Sequence, residues 1–438
     1  MKKYDVIIVG GGISGVALLY TLSNFTSIKN IALIEKYHEL GIVNTKSSQN
    51  SQTLHFGDIE TNYTLEKSIK VKKSTEMLRK YLELTSHKGL FTIYNKMVIA
   101  VGEKEVEELK QRYSEYKNHF PKLKLLDREE IAEIEPTVIE GRNNDPIIAL
   151  YSEEGYAVDY GKTSKAFVED SKKQGVDVYL NTKLLSITRD EKTEEKNYFI
   201  KTDKEDFESK IVVICAGAHS LLIAQSLNYG KEFGLLCVAG SFYNSKKVLN
   251  GKVYTMQLKK LPFAAVHGDP EVHNHNITRF GPTAKPIFML ERYNYKTVKE
   301  YFKGFGWKHI SVIAKLMTDS TISKYIIRNF FYDFPIIGKR LFLKEARKVV
   351  PKITLKDITY AKGYGGNRPQ IINLHKKTLD TGEAKIIGDN IIFNITPSPG
   401  ASTCLGNAYK DAELIVDFLK KSGSKHEFHK KEMEKKFT

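Results

Sequence analysis

Cysteine is scarce in this sequence. The three that occur, Cys215, Cys237 and Cys404, lie far apart with no C-x-x-C pair. That excludes a disulfide framework and offers no zinc, iron–sulfur or haem ligand pattern, so no metal is expected. No run approaches the roughly 20 apolar residues that a membrane-spanning helix needs. Internal repeats are missing, as is a second glycine motif for NAD. Met1-Lys2-Lys3 runs straight into an apolar strand with no cleavage site behind it, so no signal peptide is expected and the chain is assigned to the cytosolic side. Acidic charge is also short, with 52 Asp and Glu against 68 Lys and Arg, a net charge of +16. Such a balance suits nucleic acid, an anionic membrane surface, anionic substrates, or only a lysine-rich proteome. The basic residues form no recognisable nucleic-acid module, which ranks a nucleic-acid-modifying protein low and leaves no nucleic-acid partner expected.

What is present starts with the first 36 residues. The apolar run Val6 to Val9 predicts a buried strand, Val16 to Ser23 a helix too apolar for a surface position, and Ile31 to Ile34 a second strand ending in Glu35. Between strand and helix, Gly10, Gly12 and Gly15 have the G-x-G-x-x-G spacing. Gly10 permits the tight turn, Gly12 lets backbone approach a pyrophosphate, and Gly15 lets the helix pack close to the sheet. The pyrophosphate then sits on the helix N-terminus, with Ile13 and Ser14 in its first turn. Glu35 can accept from ribose hydroxyls and would repel a 2′-phosphate, and Lys36 borders the adenine. The motif by itself does not decide between FAD and NAD.

The length of 438 residues predicts two or three domains. Thr45 to Gly57 is a polar segment, readable either as a solvated loop or as a stretch crossing a flavin ring. Residues 64 to 84 show helical amphipathic spacing. Leu90 to Val101 is strand-like, and Glu103 to Tyr116 and Asp127 to Ile134 are helical, the latter with Asp127 as N-cap. Beta–alpha alternation resumes near residue 160, and Lys210 to Ser220 carries a buried strand ending in Ala216-Gly217. Gly234 to Phe242, Lys252 to Gln257 and Ile287 to Leu290 read as an antiparallel sheet. Residues 300 to 352 hold eleven Lys or Arg against Glu300, Asp319, Asp333 and Glu345, interleaved with Trp307, Phe330, Phe331, Phe334 and many aliphatic residues. Such a stretch lies either in a membrane interface or on ordinary helices with a solvated basic face. A helix over Ala408 to Leu419 closes the fold, and the last residues are expected to fray.

Taken in order, the glycine motif, the polar loop Ser47 to Gly57, the Ala216-Gly217 strand end and Ser398-Pro-Gly-Ala-Ser-Thr403 resemble the FAD-dependent malate:quinone oxidoreductases, within the D-amino-acid-oxidase-like flavoproteins. Met97-Val-Ile-Ala-Val-Gly102, His267-Gly-Asp-Pro-Glu-Val272, Phe280-Gly-Pro-Thr-Ala284 and Gly366-Asn-Arg-Pro-Gln-Ile371 extend the resemblance over nearly the whole chain. Longer members have Trp-Asn-Asn-Ala-Gly-Thr-Gly-His where this chain has Gln49-Asn-Ser-Gln-Thr-Leu-His55, so it is similar to the shorter subtype. L-2-hydroxyglutarate oxidases share the fold and a similar Asn-Ser…His loop, and are the alternative.

The resemblance implies an α/β fold: an FAD-binding Rossmann-like (two-dinucleotide) body over 1–85, 150–228 and 355–422, a second, antiparallel-sheet substrate domain over 86–149 and 229–354, and a basic tail over 423–438. It implies (S)-malate, a small dicarboxylic 2-hydroxy acid, as substrate, FAD as cofactor, and membrane quinone as acceptor. The protein would then be peripheral, on the cytoplasmic side of the cell membrane, docking through 300–352. Oxidising a secondary alcohol needs a base, a hydride acceptor and cations for the carboxylates. His267 is the favoured base, oriented by Asp269, with His55, His273 and His275 as competitors. Arg368, on a turn, would clamp one carboxylate, Arg279 and Arg292 are both candidates for the other, and Gln52 is a further substrate contact. Ser48, Asn50, Ser51, His55 and Gly365 would border the flavin. Gly400, Ala401, Ser402 and Thr403 would meet its pyrimidine edge at a helix N-terminus. A protein that binds flavin without turnover is the remaining possibility.

Overall fold

In the computed structural model, which describes residues 1–189, 197–257, 266–334, 336–380 and 384–437, strand Lys2–Val9 (β1) is the centre of the first sheet. It pairs in parallel with Ile31–Ile34 (β2) on one side and Phe207–Ile214 on the other. Asp177–Tyr179 extends the parallel order beyond β2, and Ile391–Ile395 extends it beyond Phe207–Ile214. A doubly wound sheet buries both faces of its central strands, which is why the stretches Val6 to Val9, Ile31 to Ile34 and Ile211 to Ile214 are apolar without interruption. Helix Ile13–Phe25 (α1) lies on this sheet and is covered by helices Tyr160–Lys172 and Cys404–Lys421. Every residue from Val16 to Ser23 is buried, as its unbroken apolar character required.

The rest of the chain builds two sheets that are mainly antiparallel. One has eight strands and includes Phe91–Val101, Ile147–Val158, Lys252–Thr255, His267–Glu271 and Asn274–Gly281. The other pairs Phe233–Ala239 with Lys285–Ile287 and with Asn367–Asn373. Three expectations shift. Residues 150–158, assigned to the FAD-binding body, continue the strand that opens at Ile147 and pair with Phe91–Val101. Residues 367–380 pair with Phe233–Ala239 and with each other rather than with the parallel sheet. The strand expected over Ile287 to Leu290 ends at Ile287.

Residues 297–349 form four helices, Thr297–Lys303, Trp307–Thr318, Ser320–Phe331 and Ile337–Val349. The Asp127 cap is present, its carboxylate accepting from the Glu129 and Glu130 N–H groups in a capping box.

The tail corrects the expectation that it frays. Helix Lys430–Phe437 returns to the core and buries Met433 and Phe437 completely. The Phe437 ring lies 5.8 Å from Phe25, 6.3 Å from Tyr81 and 6.4 Å from Tyr20, centroid to centroid. Seven lysines among the last 19 residues hid two apolar anchors spaced four apart on one helix face. Phe437→Ala should therefore lower unfolding free energy by about 3 kcal/mol, measured by denaturant titration; a change near zero would mean that the tail does not pack.

Candidate functional site

The glycine turn has the geometry that its spacing predicts. Gly10 has φ +117°, and a Cβ there would lie 2.4 Å from the Cys215 carbonyl oxygen. A Cβ on Gly15 would meet the Gly10 carbonyl at 2.0 Å, so α1 starts closer to β1 than any side chain allows. Gly12, at the N-cap of α1, offers no capping side chain. The Ile13 N–H donates to Thr45 Oγ1 at 3.1 Å. The Ser14 and Thr396 hydroxyls are 3.0 Å apart. The positive end of α1 thus opens on a cavity of about 300 Å³ whose wall includes Gly10, Gly12, Ile13 and Ser14.

Glu35, Lys36, Ala216 and Gly217 continue that wall. The Glu35 carboxylate accepts from Gly11 N–H at 2.6 Å and Tyr37 N–H at 2.9 Å. Burial still raises its pKa against those two donors. Lys36 Nζ reaches Glu291 Oε1 at 2.5 Å, and the Tyr37 hydroxyl donates to Glu291 Oε2 at 2.5 Å. No local pattern announces this tie, because its two ends lie some 255 residues apart.

The opposite end is built by the polar segment after Thr45, which lines the cavity rather than standing in solvent. Asn50 Nδ2 donates to the carbonyls of Asn44, Thr45 and Lys46 at 3.0–3.2 Å, folding the segment on itself. Gln52 follows with φ +56°, the left-handed region that non-glycine residues seldom adopt. Its side chain donates to Ser47 O at 3.1 Å and Glu271 Oε1 at 2.8 Å, and accepts from Val272 N–H at 2.8 Å. Gln52, expected as a substrate contact, lines the cavity with its side-chain amide spent on protein partners that brace the loop. The Thr53 carbonyl accepts from the Tyr160 hydroxyl at 2.8 Å and from Ser402 Oγ at 3.3 Å. Gly400, Ala401 and Ser402 line the cavity just before helix Cys404–Lys421, with Thr403 as its N-cap outside the wall.

His55 lines this end too, and its Nδ1 lies 2.7 Å from Glu60 Oε1. Glu60 is buried, which pushes its carboxyl up. The His55 hydrogen bond and the charges of His55 and Lys96 outweigh that and hold it below the usual range. Glu60 follows His55 by five residues but escaped the sequence reading, because a lone acid after a loop has no distinguishing pattern.

His267 and Asp269 are placed elsewhere. Both are buried on strand His267–Glu271, behind the polar segment and outside the cavity wall. The His267 ring packs on Tyr254 at 4.4 Å between centroids, and its Nε2 is 3.9 Å from Asp269 Oδ1. Asp269 Oδ2 binds Arg279 Nη2 at 2.5 Å and faces Lys252 Nζ at 3.5 Å. Burial lowers the Lys252 pKa to about 8 although Asp269 opposes it. Arg279 also donates to Asn50 O at 3.4 Å and Ser51 O at 3.1 Å. The group braces the loop from behind.

The three arginines now separate. Arg279 is held by Asp269 and the loop carbonyls and does not border the cavity. Arg292 donates to the Gly240 and Gly365 carbonyls and, at 2.6 Å, to Ser241 Oγ, so it clips strands together away from the cavity. Gly365 and Ser48 also lie outside the wall, joined by a 2.7 Å bond from Gly365 N–H to Ser48 O. Arg368 lines the cavity, and its buried Nη1 has no hydrogen-bond partner among the described residues. It was expected on a turn but stands on strand Asn367–Asn373, in register with Val238.

An uncapped helix N-terminus, a glycine turn that any Cβ would fill and a half-buried acid at the end of β2 fit the ADP half of FAD. The comparisons with known proteins agree. The family model described as "FAD dependent oxidoreductase" matches residues 5–406. A malate:quinone oxidoreductase of Helicobacter pylori is 41% identical over 98% of this chain and 97% of its own. The human mitochondrial L-2-hydroxyglutarate dehydrogenase is 25% identical over 92% of this chain and 87% of its own. Among solved structures, the L-alpha-glycerophosphate oxidase of Mycoplasma pneumoniae with FAD bound superimposes with a TM-score of 0.66 at 20% identity, covering 95% of each chain. Gly12→Val, which puts methyl groups against Thr45 Oγ1 and over the helix N-terminus, should cut FAD retained per chain by about tenfold or more. Flavin absorbance against protein, with circular dichroism as the folding control, checks this; full retention would contradict the cradle.

Proposed function

Because this chain belongs to the malate:quinone oxidoreductases of the FAD-dependent oxidoreductase family, we propose that it oxidises (S)-malate to oxaloacetate and delivers the electrons to a membrane quinone. The observation that carries this reading is the meeting in one cavity of a dinucleotide cradle, a His–Glu pair and a guanidinium with an unused donor. The 41% identity to a malate:quinone oxidoreductase, against 25% to an L-2-hydroxyglutarate dehydrogenase, favours the four-carbon acid.

Arg368 receives a substrate carboxylate. A guanidinium holds such a group bidentately, and an arginine whose Nη1 is buried without a partner gains most from the contact. Donation of Nδ1–H to Glu60 fixes the His55 tautomer and leaves Nε2 as an acceptor on a residue of the cavity wall. His55 Nε2 then takes the proton of the C2 hydroxyl, and Glu60 stabilises the imidazolium. FAD bound in this cavity supplies the acceptor for the hydride leaving C2 and the path of the electrons to quinone. His55 is favoured over His267 because only His55 borders the cavity, while His267 and Asp269 stiffen the loop that carries it.

The quinone partner calls for a membrane surface, and helices 297–349 supply one. Trp307 is 85% exposed and Ile336 73%, and Phe302, Ile310, Ile327, Phe330, Phe331 and Phe334 are exposed with them. Lys303, Lys308, Lys324, Arg328 and Arg340 stand exposed among these apolar side chains. Buried aromatic and aliphatic groups would serve folding; exposed ones beside cations suit the interface of an anionic leaflet, such as the cytoplasmic face of the cell membrane. Among the described residues no helix is long and apolar enough to cross a membrane, which is consistent with peripheral docking.

Anaerobic mixing tests the chemistry directly. Malate should bleach the bound flavin, and faster bleaching by L-2-hydroxyglutarate would overturn the substrate assignment. His55→Asn should slow malate-driven bleaching by about 100-fold or more. Arg368→Gln should weaken malate binding by about 10- to 100-fold. For the surface, Lys308→Glu with Lys324→Glu and Arg340→Glu should abolish binding to anionic vesicles at low salt and impair quinone reduction, leaving bleaching by malate intact. Unchanged vesicle binding would remove the docking surface from the account.

A further inference from the structure

Two carboxylates, an ammonium and an imidazole are packed together at the His55 end of the cavity. Asp58 and Glu60 are 4% and 5% exposed, and Lys96, on strand Phe91–Val101, is 1% exposed. Lys96 Nζ lies 2.8 Å from Asp58 Oδ1 and 4.5 Å from the centre of the Phe56 ring. Glu60 Oε1 holds His55 Nδ1 at 2.7 Å, and Glu60 Oε2 has no hydrogen-bond partner among the described residues. Burying a lysine this completely is costly, and one well-packed apolar side chain would fill the same space at less expense. Its charge therefore calls for an explanation beyond packing.

Other charged or titratable groups face the cluster from its neighbours. Arg112, on helix Glu103–Tyr116, gives its Nη groups to the carbonyls of Tyr63 and Glu60 at 3.0 and 2.7 Å and stacks on Tyr116 at 3.8 Å. It meets main-chain oxygens and does not bond either carboxylate. Tyr254 and Lys252, on strand Lys252–Thr255, face Glu60 and Lys96 respectively, with Asp269 behind them.

The charges of the four bonded groups decide what the cluster does. With His55 neutral they sum to one negative charge, and with His55 protonated they balance. A proton arriving at His55 thus balances these four charges, beside an Arg112 guanidinium that is engaged by main-chain carbonyls. Without Lys96, two uncompensated carboxylates would hold a proton on the imidazole before any substrate arrived. Without Asp58, the Lys96 charge would act on His55 unopposed. The geometry points to Lys96 and Asp58 as positioning residues that set the charge balance at the base, Lys96 offsetting the carboxylates beside His55 and Asp58 restraining Lys96. This rests on the reading of His55 as the base.

The test is the pH dependence of malate-driven flavin reduction in the FAD-loaded protein, alongside NMR titration of the His55 ring without substrate. Lys96→Met should move the acid-side midpoint of the rate profile up by about 1–3 pH units, and Asp58→Asn should move it down. The double variant should return it close to the wild-type position, with the ring resonance moving in the same directions. A solely structural pair would lower stability and rate without these opposed, mutually cancelling shifts. Unmoved midpoints in folded single variants would overturn the inference. If Lys96→Met does not fold, Asp58→Asn decides alone: a downward shift supports the inference and an unmoved midpoint overturns it. His55→Asn separates the two levels. Undiminished reduction in that variant would overturn the base assignment and this inference together, whereas strong loss there with no shift in the other variants would overturn only the charge-setting role.

Discussion

The approach of α1 to β1 is the constraint on which the rest of the structure depends. A main-chain contact that leaves no room for a Cβ at Gly10 or Gly15 seats the helix directly on the sheet. Close seating explains why α1 is buried all round and why two further helices must cover it. It also aims the positive end of α1 into the cavity and leaves its N-cap without a side chain. The parallel strand order and the Ala216-Gly217 strand end are arranged around this point, since Cys215 N–H bonds to Val9 O at 2.8 Å beside the turn.

Where the cradle is made of backbone, the His55 end of the cavity is made of side chains on a loop stiffened from both sides. Behind it stand Asp269, Arg279 and Lys252; beneath it stand Asp58, Glu60 and Lys96. Buried ion pairs are poor sources of stability when compared with packed hydrocarbon, because desolvation consumes most of the Coulombic gain. Their value here is positional. Arg279 ties Asn50 O and Ser51 O to the antiparallel sheet, and the Gln52 amide ties the same loop to Glu271 and Val272. The left-handed backbone at Gln52 persists because these bonds hold it from both directions.

The helices over residues 297–349 follow a different rule. Val312, Tyr332, Phe342 and Ala346 are buried and fasten them to the sheets, while Trp307, Phe330 and Ile336 remain outside. That division gives the body an exposed apolar face carrying its own cations, adjoining the sheet from which Arg368 faces the cavity.

Backbone requirements were legible in the sequence because they are local. A turn with positive φ, a close helix–strand approach and an acid at a strand end each demand particular residues at fixed spacing, so the turn at Gly10, Gly12 and Gly15, the strand ending at Glu35 and the strand end at Ala216-Gly217 could be read locally, whereas Gly400 to Ser402 came only from the resemblance. The roles of polar side chains could not be read in this way. Arg279, Arg292 and Arg368 are equal as letters, and what separates them is which oxygens lie near. Those of Arg279 and Arg292 include the carbonyls of Asn50, Ser51, Gly240 and Gly365, and main-chain groups leave no trace in composition. The tail shows the same limit, since only packing reveals that Met433 and Phe437 outweigh the lysines around them. The sequence by itself determined the dinucleotide fold and where its cradle lies. Tertiary structure alone decided which of the candidate histidines and arginines border the cavity, because burial and hydrogen-bond satisfaction are properties of contacts between segments far apart in the chain.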